Sequence, residues 1–160
     1  MTNNTSRTLV RLAAFGLLAA ALPALTGCGA SSGTVQFRCG PAINGGLALA
    51  VDVIRATERE AQEIQAMGEK WFYDQSRFNI QGQNRIQTVT FKTDVGSAAC
   101  DKSISVPVSK GERFLVIIAD YKFQNPDPNK HVIVLSREKW VGQKVLVSVL
   151  ERELAVERRF

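Results

Sequence analysis

The residues of this chain best suited to nucleophilic, redox or metal chemistry are few. There are three cysteines, Cys28, Cys39 and Cys100, and one histidine, His131. A lone imidazole excludes a site built from several histidines, and three thiols cannot complete a Cys₄ cluster. No Cys-x-x-Cys, His-Glu-x-x-His or phosphate-binding glycine loop before a helix occurs. The serines fall in tethers, turns or strands, and none is set beside His131 and an acid, so His131 is expected at an exposed turn-to-strand edge. Asp120 closes an apolar run and either pairs with an arginine or faces solvent, with no second carboxylate to split its pKa from. Asp127, between two prolines, offers one carboxylate where calcium needs six or more oxygens. The expectation is a protein that is not an enzyme and needs no metal, cofactor or small-molecule substrate.

Cys28 has a different chemistry in prospect. Arg7 and Arg11 precede an Ala- and Leu-rich stretch over residues 12–22, with no acid in the first 27 residues. That stretch is too short for a stable membrane span and right for the apolar part of an export signal. It ends in Leu25-Thr26-Gly27-Cys28, which resembles the bacterial lipobox. In lipoproteins the cysteine becomes the first residue and carries the acyl chains, palmitate among them. Residues 1–27 are therefore expected to be a cleaved signal peptide, with Cys28 the lipidation site. Gly29 follows it; by the same resemblance, the absence of Asp there points to the outer membrane. Removing the signal takes two arginines and lowers the net charge from +5 to +3, a weak basis for expecting nucleic acid as a partner.

Cys39 and Cys100 then remain, either as two buried thiols or as a pair. The oxidising compartment favours the pair. A bond between them would close a loop of about 60 residues and contribute about 4 kcal/mol by chain entropy.

These residues need a scaffold, and 45% hydrophobic against 22% charged residues suffices for a packed core. Residues 28–33 read as a short lipidated tether and residues 34–160 as one domain. Residues 34–39 read as a first strand. The loop Gly40, Pro41, Ala42, Ile43, Asn44, Gly45 and Gly46 follows, broken by three glycines and a proline. Residues 47–55 alternate as a second strand, with Leu47, Leu49, Val51 and Val53 on one face. The period then changes: Thr57-Glu58-Arg59-Glu60 is a capping box, Ala61 and Ile64 keep helical spacing, and Gly68 stops the helix. A second helical stretch carries Trp71, Phe72, Tyr73 and Phe78, read as anchors onto a sheet, with a ligand-binding aromatic cage as the alternative. The insertion thus spans 57–78. Strands follow over 86–93, 102–108, 113–123, 131–137 and 144–150, with 153–158 either continuing the last or adding a short one. The unbroken apolar run of residues 114–119 marks a central strand covered on both faces. Arg55, Arg59, Lys122 and Lys130 read as a scattered solvated surface. Seven or eight short strands with turns between them predict an all-β sandwich with one helical insertion between the second and third strands.

In this order of parts the chain resembles the TssJ family, the outer-membrane lipoproteins of the type VI secretion system. The resemblance is carried by the lipobox, Val51-Asp52-Val53-Ile54-Arg55, Trp71-Phe72-Tyr73-Asp74 and the strand that begins Phe114-Leu115-Val116-Ile117. It implies a transthyretin-like β-sandwich facing the periplasm. It also implies a partner, the periplasmic C-terminal part of TssM, bound partly through the loop after the first strand. By position that loop is 40–46, shorter than is usual in the family; the Cys39 and Cys100 pair is likewise not a family feature. Ile43 at its tip would fill a pocket on the partner or fold back onto the sandwich. The rival reading is an unrelated lipid-anchored periplasmic sandwich that binds a ligand or inhibits an enzyme.

Overall fold

The computed structural model describes residues 32–92, 100–122, 125 and 127–157. The signal peptide, Cys28, Thr93, Phe123 and Arg158 lie outside the described residues. Eight strands form two four-stranded sheets: β1 (Ser32–Cys39), β2 (Leu49–Ala56), β3 (Ile86–Phe91), β4 (Lys102–Pro107), β5 (Phe114–Ala119), β6 (Val132–Ser136), β7 (Lys144–Val149) and β8 (Leu154–Glu157). One sheet runs β4-β1-β7-β8 and the other β3-β2-β5-β6. Only β1 and β7 pair in parallel among these strands. Helices α1 (Glu58–Met67) and α2 (Gln75–Gly82) lie between β2 and β3, so the all-β sandwich with its insertion is the fold observed.

Strand alternation builds two cores. Val35 and Phe37 of β1, with Val145, Val147 and Val149 of β7, face Leu49, Val51 and Val53 of β2 and Leu115, Ile117 and Ala119 of β5 between the sheets. Phe37 meets Phe91 edge to face at 5.4 Å. The other face of the second sheet, through Ile54, Val116 and Ile118, packs under Ala61, Ile64, Trp71 and Ile80 of the insertion. The continuous apolar run of β5 is thus explained: alternate residues enter different cores, and both faces are covered.

The insertion is fastened by charge. Asp52, fully buried on β2, accepts from Trp71 Nε1 (3.0 Å), Arg77 Nε (2.7 Å) and Thr88 Oγ1 (2.6 Å). Arg85 donates to both oxygens of Glu60, at 2.8 and 2.7 Å. Arg55, expected at the surface, is buried; it donates to Ser109 Oγ and the Asn84 carbonyl and faces Glu112 at 3.3 Å. The capping box forms as expected, with Glu60 N donating to Thr57 Oγ1 and Thr57 N to Glu60 Oε2.

Several boundaries move for local reasons. Ser32 and Gly33, expected in the tether, belong to β1. Gly142 N donates to the Ser32 carbonyl at 2.9 Å, and a Cβ on Gly33 would lie 2.2 Å from the Trp140 carbonyl oxygen, so the strand can start there only with glycine. β2 starts at Leu49 rather than Leu47, because positive φ at Asn44, Gly45 and Gly46 curls the chain into a turn that ends at Leu47. The insertion runs past residue 78, to the end of α2. Glu153 turns the chain back, and residues 154–157 form a separate antiparallel strand on β7.

Candidate partner-binding end of the sandwich

Loop 40–46 leaves the end of β1 and crosses one end of the sandwich. Its root is fixed twice. Gly40 N donates to the Val149 carbonyl at 2.8 Å, and Cys39 is disulfide-bonded to Cys100, with Cα atoms 5.7 Å apart, inside the usual range for a disulfide. The two thiols are therefore a pair.

Asn44 holds the middle of the loop. In the left-handed region (φ 48°), it turns its side chain inward and is buried. Its Nδ2 donates to the Ala48 carbonyl (2.9 Å), its Oδ1 accepts from Lys122 N (2.8 Å), and its backbone N donates to the Glu151 carbonyl (3.0 Å). One residue thus joins three chain segments: its side-chain amide ties the entry to β2 and the exit of β5, and its backbone N ties the β7–β8 turn. Asparagine suits this position because it tolerates positive φ and carries both a donor and an acceptor.

Ile43 folds back. It is buried and joins the inter-sheet core, which corrects the reading in which it stands out to fill a partner's pocket. Burying its side chain keeps more apolar area from water than presenting it at a loop tip. Pro41, Ala42, Gly45 and Gly46 remain exposed, and Gly40 is half-buried.

The apolar surface lies next to this loop. An open cleft of about 500 Å³ is lined by Asn44, Leu47, Ala48, Glu69, Lys70, Tyr73, Asp120, Tyr121 and Lys122. Leu47 is 40% exposed and Tyr73 80% exposed, so two large side chains stand in water beside a clamped loop. Of the four expected aromatic anchors, Trp71 is buried and Phe72 packs against the core beneath the insertion, but Tyr73 and Phe78 are exposed. Asp120 is half-buried in the cleft; burial pushes its carboxyl up, Glu69 adds to the rise, and Arg77 opposes it. Burial also raises the Tyr121 hydroxyl, which donates toward the Leu150 and Glu153 carbonyls.

His131 is not at an exposed edge. It is buried, its ring is 4.8 Å from that of Tyr121, and Nε2 lies 3.1 Å from the Arg152 carbonyl. It serves as a strut under the β7–β8 turn. Among the described residues no three His, Cys, Asp or Glu side chains come together as metal ligands. The arrangement offers an apolar and charged surface for binding.

The sequence placed Asn44 in the candidate loop, Leu47 in the second strand and Tyr73 among the aromatic anchors, but did not distinguish Asn44 as the clamp or Leu47 and Tyr73 as the exposed pair. The Asn44-Gly45-Gly46 run was the available signal, since three successive residues tolerant of positive φ mark a turn able to expel Leu47 from the strand.

No protein-family model matches the chain, and no curated protein does. Solved structures do. A chain described as a type VI membrane complex aligns with TM-score 0.64 and 15% identity, over 80% of this chain and 98% of that one. The T6SS lipoprotein TssJ1 from Pseudomonas aeruginosa aligns with TM-score 0.60 and 11% identity, over 81% and 97%. A chain of the structure described as the T6SS protein TssM C-terminal domain from EAEC gives 0.60 and 12%, over 81% and 99%. At these identities the likeness is one of fold. It is the fold of the structures that carry the name of the family the sequence resembles.

Proposed function

We propose that this chain is the lipid-anchored outer-membrane component of a type VI secretion membrane complex, and that it ties the periplasmic domain of a TssM protein to that membrane. The observation that carries the reading is the match, over four-fifths of the chain, to the lipoprotein TssJ1 and to a type VI membrane complex. The lipobox before Cys28 supports the anchor. The clamped loop 40–46, with exposed Leu47 and Tyr73 beside it, supports the partner surface, because a rigid loop loses little freedom on binding. The role is binding, with acyl chains supplying membrane attachment.

Fractionation tests the anchor. The wild-type protein is expected in outer-membrane fractions with palmitate incorporated; Cys28→Ser is expected unacylated and in the soluble periplasm. Palmitate on the Cys28→Ser protein would contradict the assignment. Co-purification of TssM with the anchored wild-type protein tests the partner, and its absence from a TssM-expressing cell would overturn the complex.

A further inference from the structure

The two ends of the sandwich differ in charge. Ser32 opens β1 opposite Pro107, and Thr34 stands opposite Lys144, so the β4–β5 and β6–β7 connections lie at the end where the chain enters the domain. These connections expose Lys110, Arg113, Arg137 and Lys139, and Lys144 adds a fifth cation at the start of β7. The one exposed acid in the same segments is Glu138; Glu112 is buried against Arg55. At the start of α1, Glu58 and Arg59 add one charge of each sign. The far end mixes its signs, with Asp120, Glu151 and Glu153 beside Lys122, Lys130 and Arg152.

We infer that this basic end is a docking surface for anionic lipid headgroups, and that it holds the domain upright with loop 40–46 turned away from the membrane. The inference rests on the acylation of Cys28 in the reading above. Residues 29–31 alone separate that cysteine from β1, a reach of at most about 14 Å. The surface potential of an anionic membrane decays over about 10 Å at moderate salt. The tether therefore lets the basic end come into the range where cations on a protein are attracted to such a surface and keeps it from moving far out of it. The loop end, one eight-residue strand further, lies beyond it by about 25 Å. Acyl chains alone fix distance and leave tilt open, whereas cations on one end select one tilt.

Lysine footprinting of the acylated mature protein tests this. The protein is placed on vesicles of phosphatidylethanolamine with phosphatidylglycerol, and on vesicles of neutral phosphatidylcholine, then labelled with an impermeant amine reagent. Lys110, Lys139 and Lys144 are expected to react several-fold more slowly on the anionic vesicles, with Lys122 and Lys130 unchanged. About 1 M salt, which shortens screening to about 3 Å, should remove the difference. Lys110→Glu combined with Lys139→Glu, both at exposed positions, should relieve the protection of Lys144. Equal rates on the two vesicle types would overturn the inference, as would protection centred on Lys122 and Lys130. Failure of the acylation reading has its own readout, loss of flotation with neutral vesicles. In that event, flotation with anionic vesicles that Lys110→Glu weakens would still support the surface, and flotation with neither would overturn both.

Discussion

Loop 40–46 and the helical insertion are both held onto the sandwich by buried polar side chains, but of different kinds. The loop is held by the neutral amide of Asn44, with the Tyr121 hydroxyl fixing the adjoining β7–β8 turn. The insertion is held by ion pairs, Asp52 with Arg77 and Glu60 with Arg85, with Arg55 and Glu112 bridging to the β4–β5 connection. Neutral clamps keep a surface in one shape whatever the pH or salt. Ion pairs bind more tightly and fail when one partner loses its charge. A loop end built from the first kind and a helical layer built from the second is a division that substitutions can test.

The largest effect is expected in the charged layer. Asp52→Ala leaves the Arg77 guanidinium and Trp71 Nε1 without their acceptor and should cost about 3–5 kcal/mol in urea unfolding. A loss below 1 kcal/mol would mean that the insertion is held by apolar packing alone. Next comes the neutral clamp: Asn44→Ala strands Lys122 N and the Ala48 carbonyl and should cost about 2 kcal/mol. Its dependence on salt should match that of wild type, whereas Asp52→Ala should change it.

Acid should separate the two regions without mutation. The Arg85 guanidinium, helped by Thr57, holds the Glu60 carboxyl down at about 2, against 4.5 for an unstrained glutamate. A depressed carboxyl stabilises the fold above its unfolded value, and that stabilisation is lost as pH falls from about 4.5 to about 2. Discounted for solvent near the surface, this is about 1–2 kcal/mol. Asp120 at the loop end has the opposite sign: its raised carboxyl takes up a proton more readily folded than unfolded, so acid relieves strain there. Protection from hydrogen exchange near pH 3, taken relative to the intrinsic rate at that pH, should therefore fall in α1 and at Arg85 before it does at loop 40–46. The reverse order would break the comparison. The smallest stability effect belongs to the exposed pair: Leu47→Ala and Tyr73→Ala should each shift unfolding by less than about 0.5 kcal/mol while weakening partner binding.

The strands and the insertion were legible because burial imposes period. Leu115, Ile117 and Ala119 enter one core and Val116 and Ile118 the other, and the sequence shows that as an unbroken apolar run. The capping box was legible because its two hydrogen bonds fix residue types three positions apart. His131 misled, and Ile43 stayed open between two readings, for a common reason. Each lies in a turn, where local pattern says nothing about direction, and contacts from distant segments decide burial. Arg55 was likewise invisible as a buried charge, since its partners Asn84, Ser109 and Glu112 come from elsewhere in the chain. In the short helical turn over residues 68–73, Trp71 and Tyr73 point to opposite sides, so one aromatic cluster splits into an anchor and an exposed surface.

The central claim is that the clamped loop end is where the partner binds. Hydrogen exchange of the mature domain, alone and mixed with the periplasmic C-terminal domain of its cognate TssM, tests it most directly. Exchange should slow in residues 42–48, in 69–73 and at Lys122, with residues 137–144 at the basic end unchanged. Protection confined to residues 137–144, or no change anywhere at saturating TssM, would contradict the account.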